Sequence, residues 1–487
     1  MCCKGSVCKA HSKGPGKKQR TWRRIIGRPP QGRARPARRL CKQEEESNGT
    51  SWICSKPAYG YWETAPLKLS VRSLVLLALF IELQAEALPV TGKALPELKS
   101  FDDLLISFLK ERKVPGAALA VIRDGRLVLA RGYGWADKEH KEPVQPQSLF
   151  RIASLSKPVT AAAVLKLIDK GKFRLSTRVV SILKVKPHLE RGKSIDPRLG
   201  LITVRHLLNH TGGFDRNISF DPMFKPVGIA KAMGVPPPAG PWEIIRYMWG
   251  RRLDFDPGTR YAYSNFGYCL LGRIIEKVTG KSYADYVREE ILEPLGIRSM
   301  ALGHSLRSQR LPGEVVYYDR SGKLKPAVVG CIGKPVPPPY GSFYLEAMDA
   351  HGDWVASVVD LARFAAAFHR RRTCPILSEK SRAVMFERPG GLAGYKKDGS
   401  PLPVYYACGW LVRPLGPKKQ NEWHAGALPG TAALMVRRYD NTGWIVLFNA
   451  RKDPAGVFLV KTIDPLLHRA ADAVPQWPEG DLFPDYP

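Results

Sequence analysis

Residues 115–133 read PGAALAVIRDGRLVLARGY, two apolar runs joined by Asp124-Gly125. An Asp-Gly pair in that position is a strong signal for a two-residue β-hairpin. Strand patterns then return near the other end of the chain, at 405–413, 420–425, 431–439 and 443–450, the last pair turning at Asp440–Gly443. Helical spacing fills the interval. Residues 158–170 (PVTAAAVLKLIDK) predict an Ala/Leu-rich helix with proline in its first turn. Further helices are expected near 241–249, 266–278, 282–292 and 360–370, with a Pro-rich loop at 335–340. Leu98, Phe101, Leu104, Leu105, Phe108 and Leu109 share one face of a helix over 96–111, and an amphipathic helix closes the pattern at about 456–473. No internal repeat is present. Early strands, a helical middle and late strands predict one α+β unit, in which strands from both chain ends join one antiparallel sheet beside an inserted, mostly helical region. Its site is expected in the cleft between the two parts.

The chain has 487 residues and a formal net charge of +32. Much of the excess lies in the first 45 residues, where KKQRTWRRIIGRPPQGRARPARR has no periodic apolar face. Such a stretch cannot offset its ordering entropy by burial, so residues 1–66 are expected to be a disordered leader. Residues 67–87 (LKLSVRSLVLLALFIELQAEA) carry the signal-peptide pattern: Lys68 and Arg72, an apolar run from Ser73 to Ile81, and Ala85-Glu86-Ala87 before Leu88. The run is too short to span a membrane. Export to the periplasm or extracellular space is expected, with residues 88–487 as the mature domain. A signal so far inside the chain fits a translation start near Leu67, Leu69 or Val71; an amphipathic helix docked on the domain is the other reading. Five of the nine cysteines (Cys2, Cys3, Cys8, Cys41, Cys54) sit in the leader, and the rest form no C-x-x-C pair. No zinc or disulfide framework is indicated.

Three short segments can carry chemistry. Ser154-Leu155-Ser156-Lys157 is S-x-x-K, and residues three apart on a helix share a face, so the amine can reach the hydroxyl. Copies at Ser6, Ser107 and Ser181 make the pattern weak alone. Ser154 differs because it precedes an apolar helix that drives Lys157 toward the core, where a desolvated amine loses its proton and activates a nucleophile. Tyr263-Ser264-Asn265 is Y-x-N: a phenol to relay protons and an amide to bind a carbonyl. His424-Ala425-Gly426 is H-x-G at a strand end, where glycine admits substrate to the backbone. Second copies of Y-x-N at Tyr439 and of H-x-G at His210 are explained by a turn and a loop.

In that order, the three segments resemble the pattern of the serine β-lactamase and penicillin-binding protein family, the group of class C β-lactamases, DD-peptidases and esterases. VPGAALAVIRDG, HLLNHTGG, PGTRYAYSN and AHGDWVASVVDLARF are similar to other family stretches, and the likeness covers roughly 97–473. The resemblance implies a β-lactamase/transpeptidase-like fold and a serine hydrolase working through an acyl-enzyme. Ser154 would be the nucleophile, and Lys157 and Tyr263 would share base and acid work. Asn265 would orient Lys157 and the substrate. The backbone N–H groups of Ser154 and Ala427, just beyond Gly426, would hold the oxyanion. His424 would line the cleft, assisting Tyr263 or touching a substrate carboxylate. No metal or organic cofactor is implied. The β-lactamases of the group usually carry K-T-G as third segment; H-A-G supplies no permanent cation, so a small ester, amide or D-amino-acid peptide is expected as substrate ahead of a β-lactam. Two other classes remain open. One is a catalytically idle binding protein. The other is a nucleic-acid binder working through residues 13–39, which the export signal argues against.

Overall fold

The computed structural model describes residues 87–319, 321–369 and 373–487. The leader and all of the expected signal segment except Ala87 lie outside the described residues. Among the described residues, no helix is long and apolar enough to cross a membrane.

Asp124 and Gly125 both take positive φ (50° and 75°), the geometry of the tight turn that the sequence predicts. They join β2 (Gly116–Arg123) to β3 (Arg126–Asp137). A short β1 (Val90–Thr91) and β4 (Glu142–Pro143) both pair with β3. From the far end come β5 (Tyr405–Tyr406), β6 (Leu411–Pro414), β7 (Gln420–Leu428), β8 (Thr431–Arg437) and β9 (Thr442–Phe448). The resulting nine-stranded antiparallel sheet runs β1-β3-β2-β9-β8-β7-β6-β5, with β4 on β3. The two chain ends meet where β9 pairs with β2, from Thr442 opposite Arg123 to Phe448 opposite Ala117.

Both faces of this sheet are covered, and the alternation of side chains sorts them. Ala118, Ala120, Ile122, Ala433, Met435, Ile445 and Leu447 join the core under the helical region. Leu119, Val121, Leu434, Val436, Trp444 and Val446 face the other way, against α1 (Lys99–Arg112) and α5 (Leu459–Asp472). The helical layer holds α2 (Ser156–Asp169), α3 (Asn265–Thr279) and α4 (Val358–Ala366). It also contains Pro241–Trp249 as expected, and Pro226–Met233 and Glu379–Met385, which the periodicity missed.

Two departures position the site. Residues 405–413 are not one strand. Ala407 donates to the Trp410 carbonyl, and Gly409 (φ +83°) turns the chain. A Cβ on Gly409 would stand 2.8 Å from Pro158 Cα and 3.0 Å from the Lys157 carbonyl, so the break fits the strand against the start of α2. The second departure is a small sheet in which Phe150–Arg151 pairs with Trp354–Ala356, itself paired with Ala301–Leu302. It brings the segment before Ser154 beside the segment after His351.

Candidate active site

Ser154 stands in a tight turn, Ala153–Leu155, between the strand Phe150–Arg151 and α2. The turn is tied on both sides: Ile152 N donates to the Trp354 carbonyl, and Ser156 Oγ to the Ala153 carbonyl. Ala153 takes φ +48°, a conformation that costs a residue with a Cβ about 1–2 kcal/mol. The surrounding contacts hold it there. The strain lies immediately before the hydroxyl.

Lys157 is completely buried, and its Nζ lies 3.0 Å from Ser154 Oγ and 2.9 Å from the His351 carbonyl. Burial pulls its proton affinity well below that of an ordinary lysine; the nearby Asp221 opposes this and Arg216 adds to it. Tyr263 donates from its hydroxyl to Ser154 Oγ at 2.9 Å. Burial pushes that phenol in the other direction, toward staying protonated. An amine and a phenol therefore meet on one hydroxyl. The serine inside Y-x-N explains the spacing. Ser264 caps α3, accepting from Gly267 N at 3.1 Å, so Tyr263 lies just before the helix and Asn265 opens it.

Asn265 makes no hydrogen bond with Lys157. Its amide donates to Asp221 Oδ2 at 2.6 Å, which corrects the orienting contact expected from the sequence. Asp221 also caps the turn Pro222–Phe224 through Met223 N, and burial raises its carboxyl above the usual range. His210, set aside in the sequence, packs directly behind Tyr263, with ring centroids 4.4 Å apart. Its Nδ1 accepts from Ser264 N at 3.2 Å, which puts the ring proton on Nε2. Tyr406 closes the same wall, 4.4 Å from the His210 ring.

His424, at the outer end of this wall, is buried and neutral. Its Nδ1 lies 2.8 Å from the Ala425 carbonyl and must carry the proton, so Nε2 accepts from the Tyr406 hydroxyl at 3.1 Å. Burial and the Lys157 charge push its pKa down to about 3. Both ring nitrogens are occupied. His424 still lies beside Tyr263, with ring centroids 6.4 Å apart, and its hydrogen bond goes to Tyr406.

Gly426 is required by packing. A Cβ there would stand 2.2 Å from the Ile152 carbonyl and 3.1 Å from Ser154 N. Backbone atoms cannot yield as a flexible side chain can. Gly426→Ala is therefore expected to displace the Ser154 turn and lower kcat by about 10²-fold, the scale of a misplacement near 1 Å. Steady-state kinetics beside a thermal melt check this. Leu428 pairs with Thr431 across the Pro429-Gly430 turn. The residues flanking a two-residue turn exchange hydrogen bonds, so Gly426 bonds toward β8 and Ala427 aims its N–H at the opposite edge. That edge is open, because β6 stops pairing with β7 at Trp423.

The structure thus brings Ser154, Lys157, Tyr263, His424, Gly426 and Ala427 together, with Asn265 one partner removed. Asp221, Tyr406 and His210 are the residues that sequence reasoning missed or discounted. The model of the Beta-lactamase family matches residues 101–463. A putative fimbrial assembly protein FimD (serogroup D) of Dichelobacter nodosus is 30% identical over 316 residues, 63% of this chain and 69% of that protein. Esterase EstB of Burkholderia gladioli is 33% identical over 193 residues, 39% of this chain and 47% of the esterase. Among solved structures, the octameric penicillin-binding protein homologue from Pyrococcus abyssi superposes with a TM-score of 0.55 at 26% identity, covering 76% of this chain and 77% of that one.

Proposed function

This chain belongs to the β-lactamase family of serine hydrolases, and from that premise we propose that it cleaves a small ester or amide through an acyl-enzyme on Ser154. The observation that carries the reading is the pair of contacts on one hydroxyl, Lys157 Nζ at 3.0 Å and Tyr263 OH at 2.9 Å. Lys157, whose desolvation favours the neutral amine, takes the Ser154 proton as Oγ attacks the carbonyl carbon. The Tyr263 hydroxyl steadies the attacking oxygen and passes a proton toward the leaving group, with the Lys157 proton following. Its raised pKa supports the role of donor over that of phenolate base. The N–H groups of Ser154 and Ala427 hold the developing oxyanion; one such donor typically contributes about 10²–10³ in rate. Water then attacks the acyl-enzyme as Lys157 accepts its proton; the acyl C–Oγ bond breaks and that proton passes to Ser154 Oγ, restoring the resting site.

The neutral His424 argues for esters and D-amino-acid amides over β-lactams, since it offers no cation for the lactam carboxylate. The similarity to an esterase points the same way. A panel of short acyl esters, D-amino-acid amides, D-Ala-D-Ala peptides and a cephalosporin tests this. Ester or amide turnover should dominate; cephalosporin turnover far above the others would overturn the substrate assignment. Residues 67–87 support placing this activity outside the cytoplasm. The mature protein should then begin at Leu88 on N-terminal sequencing, whereas an intact upstream segment would count against export.

A further inference from the structure

Beside the catalytic cleft lies a second concavity of about 830 Å³, within the size range of small-molecule sites. Its wall includes Pro429, two residues beyond Ala427, and Phe224, three beyond Asp221. Two walls of the chamber are thus continuous with segments of the active site. Its charge is predominantly positive. Lys225, Lys325, Arg451 and Lys452 line it, and among the described residues none of them forms an ion pair. Two carboxylates also line it. Asp453 is bonded to Arg112 at 2.8 Å and accepts from Val457 N at 2.8 Å. Asp319 accepts from Ser321 N at 2.9 Å.

Arg451 is the informative residue. Its guanidinium lies 5.0 Å over the Phe458 ring, and its Nε is buried with no hydrogen-bond partner. Burial also lowers its proton affinity, with Asp319 opposing. An anion in the chamber would offset the desolvation of this guanidinium charge. The remaining wall mixes Tyr318, Ser321 and Ser342 with an apolar part made by Phe224, Pro326, Val328 and Phe343. Phe343 is buried under it, and Phe224, 40% exposed, lies open to it.

Building on the hydrolase reading, we infer that this chamber takes an anionic arm of the substrate: Arg451, flanked by Lys225, Lys325 and Lys452, receives a carboxylate borne on a short apolar spacer that Phe224 and Phe343 cover. The substrate class is an ester or amide with a carboxylate several carbons from the scissile bond.

Calorimetric binding to the full Ser154→Ala chain tests this without requiring turnover. The probes are the monomethyl esters of dicarboxylic acids from succinic to suberic, each beside its neutral dimethyl twin. At least one monomethyl ester should bind about tenfold tighter than its twin, with the difference shrinking as salt rises. Adding Arg451→Met should bring the pair close to parity. Adding Lys325→Gln, at an exposed position that does not threaten folding, should remove part of the difference. Equal binding of every pair, no detectable binding of any monomethyl ester, or a preference untouched by Arg451→Met would overturn the inference. Turnover of the same esters by the unsubstituted chain reports separately on the hydrolase reading.

Discussion

Ser154→Ala is expected to lower kcat on the best ester or amide by about 10⁴-fold or more while leaving the thermal midpoint nearly unchanged. Among the described residues, Ser154 is the hydroxyl that both Lys157 and Tyr263 reach, and the turn that carries it is fixed from both sides. Removing Oγ removes the covalent step and leaves the oxyanion amides and the cleft in place, so some acceleration over water should persist. Stability should change little. The hydroxyl is part-buried, and the turn is held by the Ile152–Trp354 and Ser156–Ala153 hydrogen bonds, none of which uses it. Rate and melting measurements on one preparation check both halves. A rate loss below about tenfold would show that another group is the nucleophile.

The second large effect is at Lys157. Lys157→Met should lower kcat/KM by about 10³-fold or more, the scale at which a lost base also leaves the nucleophile without its alignment. The same substitution should not lower the thermal midpoint. In the native state the amine binds its proton more weakly than in the unfolded chain, so below the ordinary lysine value folding is penalised by the protonation of the unfolded amine. The sign follows. The penalty is largest when pH lies below the folded value, declines as pH rises through it, and vanishes near the ordinary lysine value. Methionine carries no such penalty and fills a similar volume. The lost bond to the His351 carbonyl works against this gain, so the expected outcome is a midpoint equal to or above that of the unsubstituted chain. The pH profile of kcat/KM makes an independent statement. Activity should rise with pH through the lowered Lys157 value and then stay level past about 10, where an ordinary phenol would begin to ionise, because burial keeps Tyr263 protonated. A profile that climbs only near the ordinary lysine value would show a charged, exposed amine.

The parts of this site that sequence revealed are those written locally. S-x-x-K places an amine one turn from a hydroxyl, and the apolar run after it sends that amine inward. Y-x-N straddles a helix start, with Ser264 as cap, which fixes where Tyr263 stands. The early hairpin and the late strands were legible because Asp124-Gly125 and period-two alternation need no tertiary context. What stayed hidden depends on partners distant in sequence. Asn265 bonds Asp221, an Asp-Pro pair that reads as an ordinary turn cap. Tyr406 lay inside an apparently unbroken strand; the break at Gly409 is dictated by Pro158 and Lys157, which no local pattern announces. His210 sits in a second copy of H-x-G, and its tie to the site comes from the packing of its ring on Tyr263 and the bond it accepts from Ser264 N. Esterase or amidase cannot be distinguished by these residues, because they handle the carbonyl rather than the groups on either side of it. Those groups are the business of the cleft walls and of the chamber around Arg451.

The account turns on a single oxygen atom being made nucleophilic by its neighbours, and the most direct measurement is to find where a covalent probe lands. Incubation with a fluorophosphonate at neutral pH, proteolysis and mass mapping should place one adduct on Ser154, forming markedly more slowly in Lys157→Met and absent in Ser154→Ala. An adduct on a different residue, or a Ser154 that stays unlabelled while the intact protein turns over ester, would contradict it.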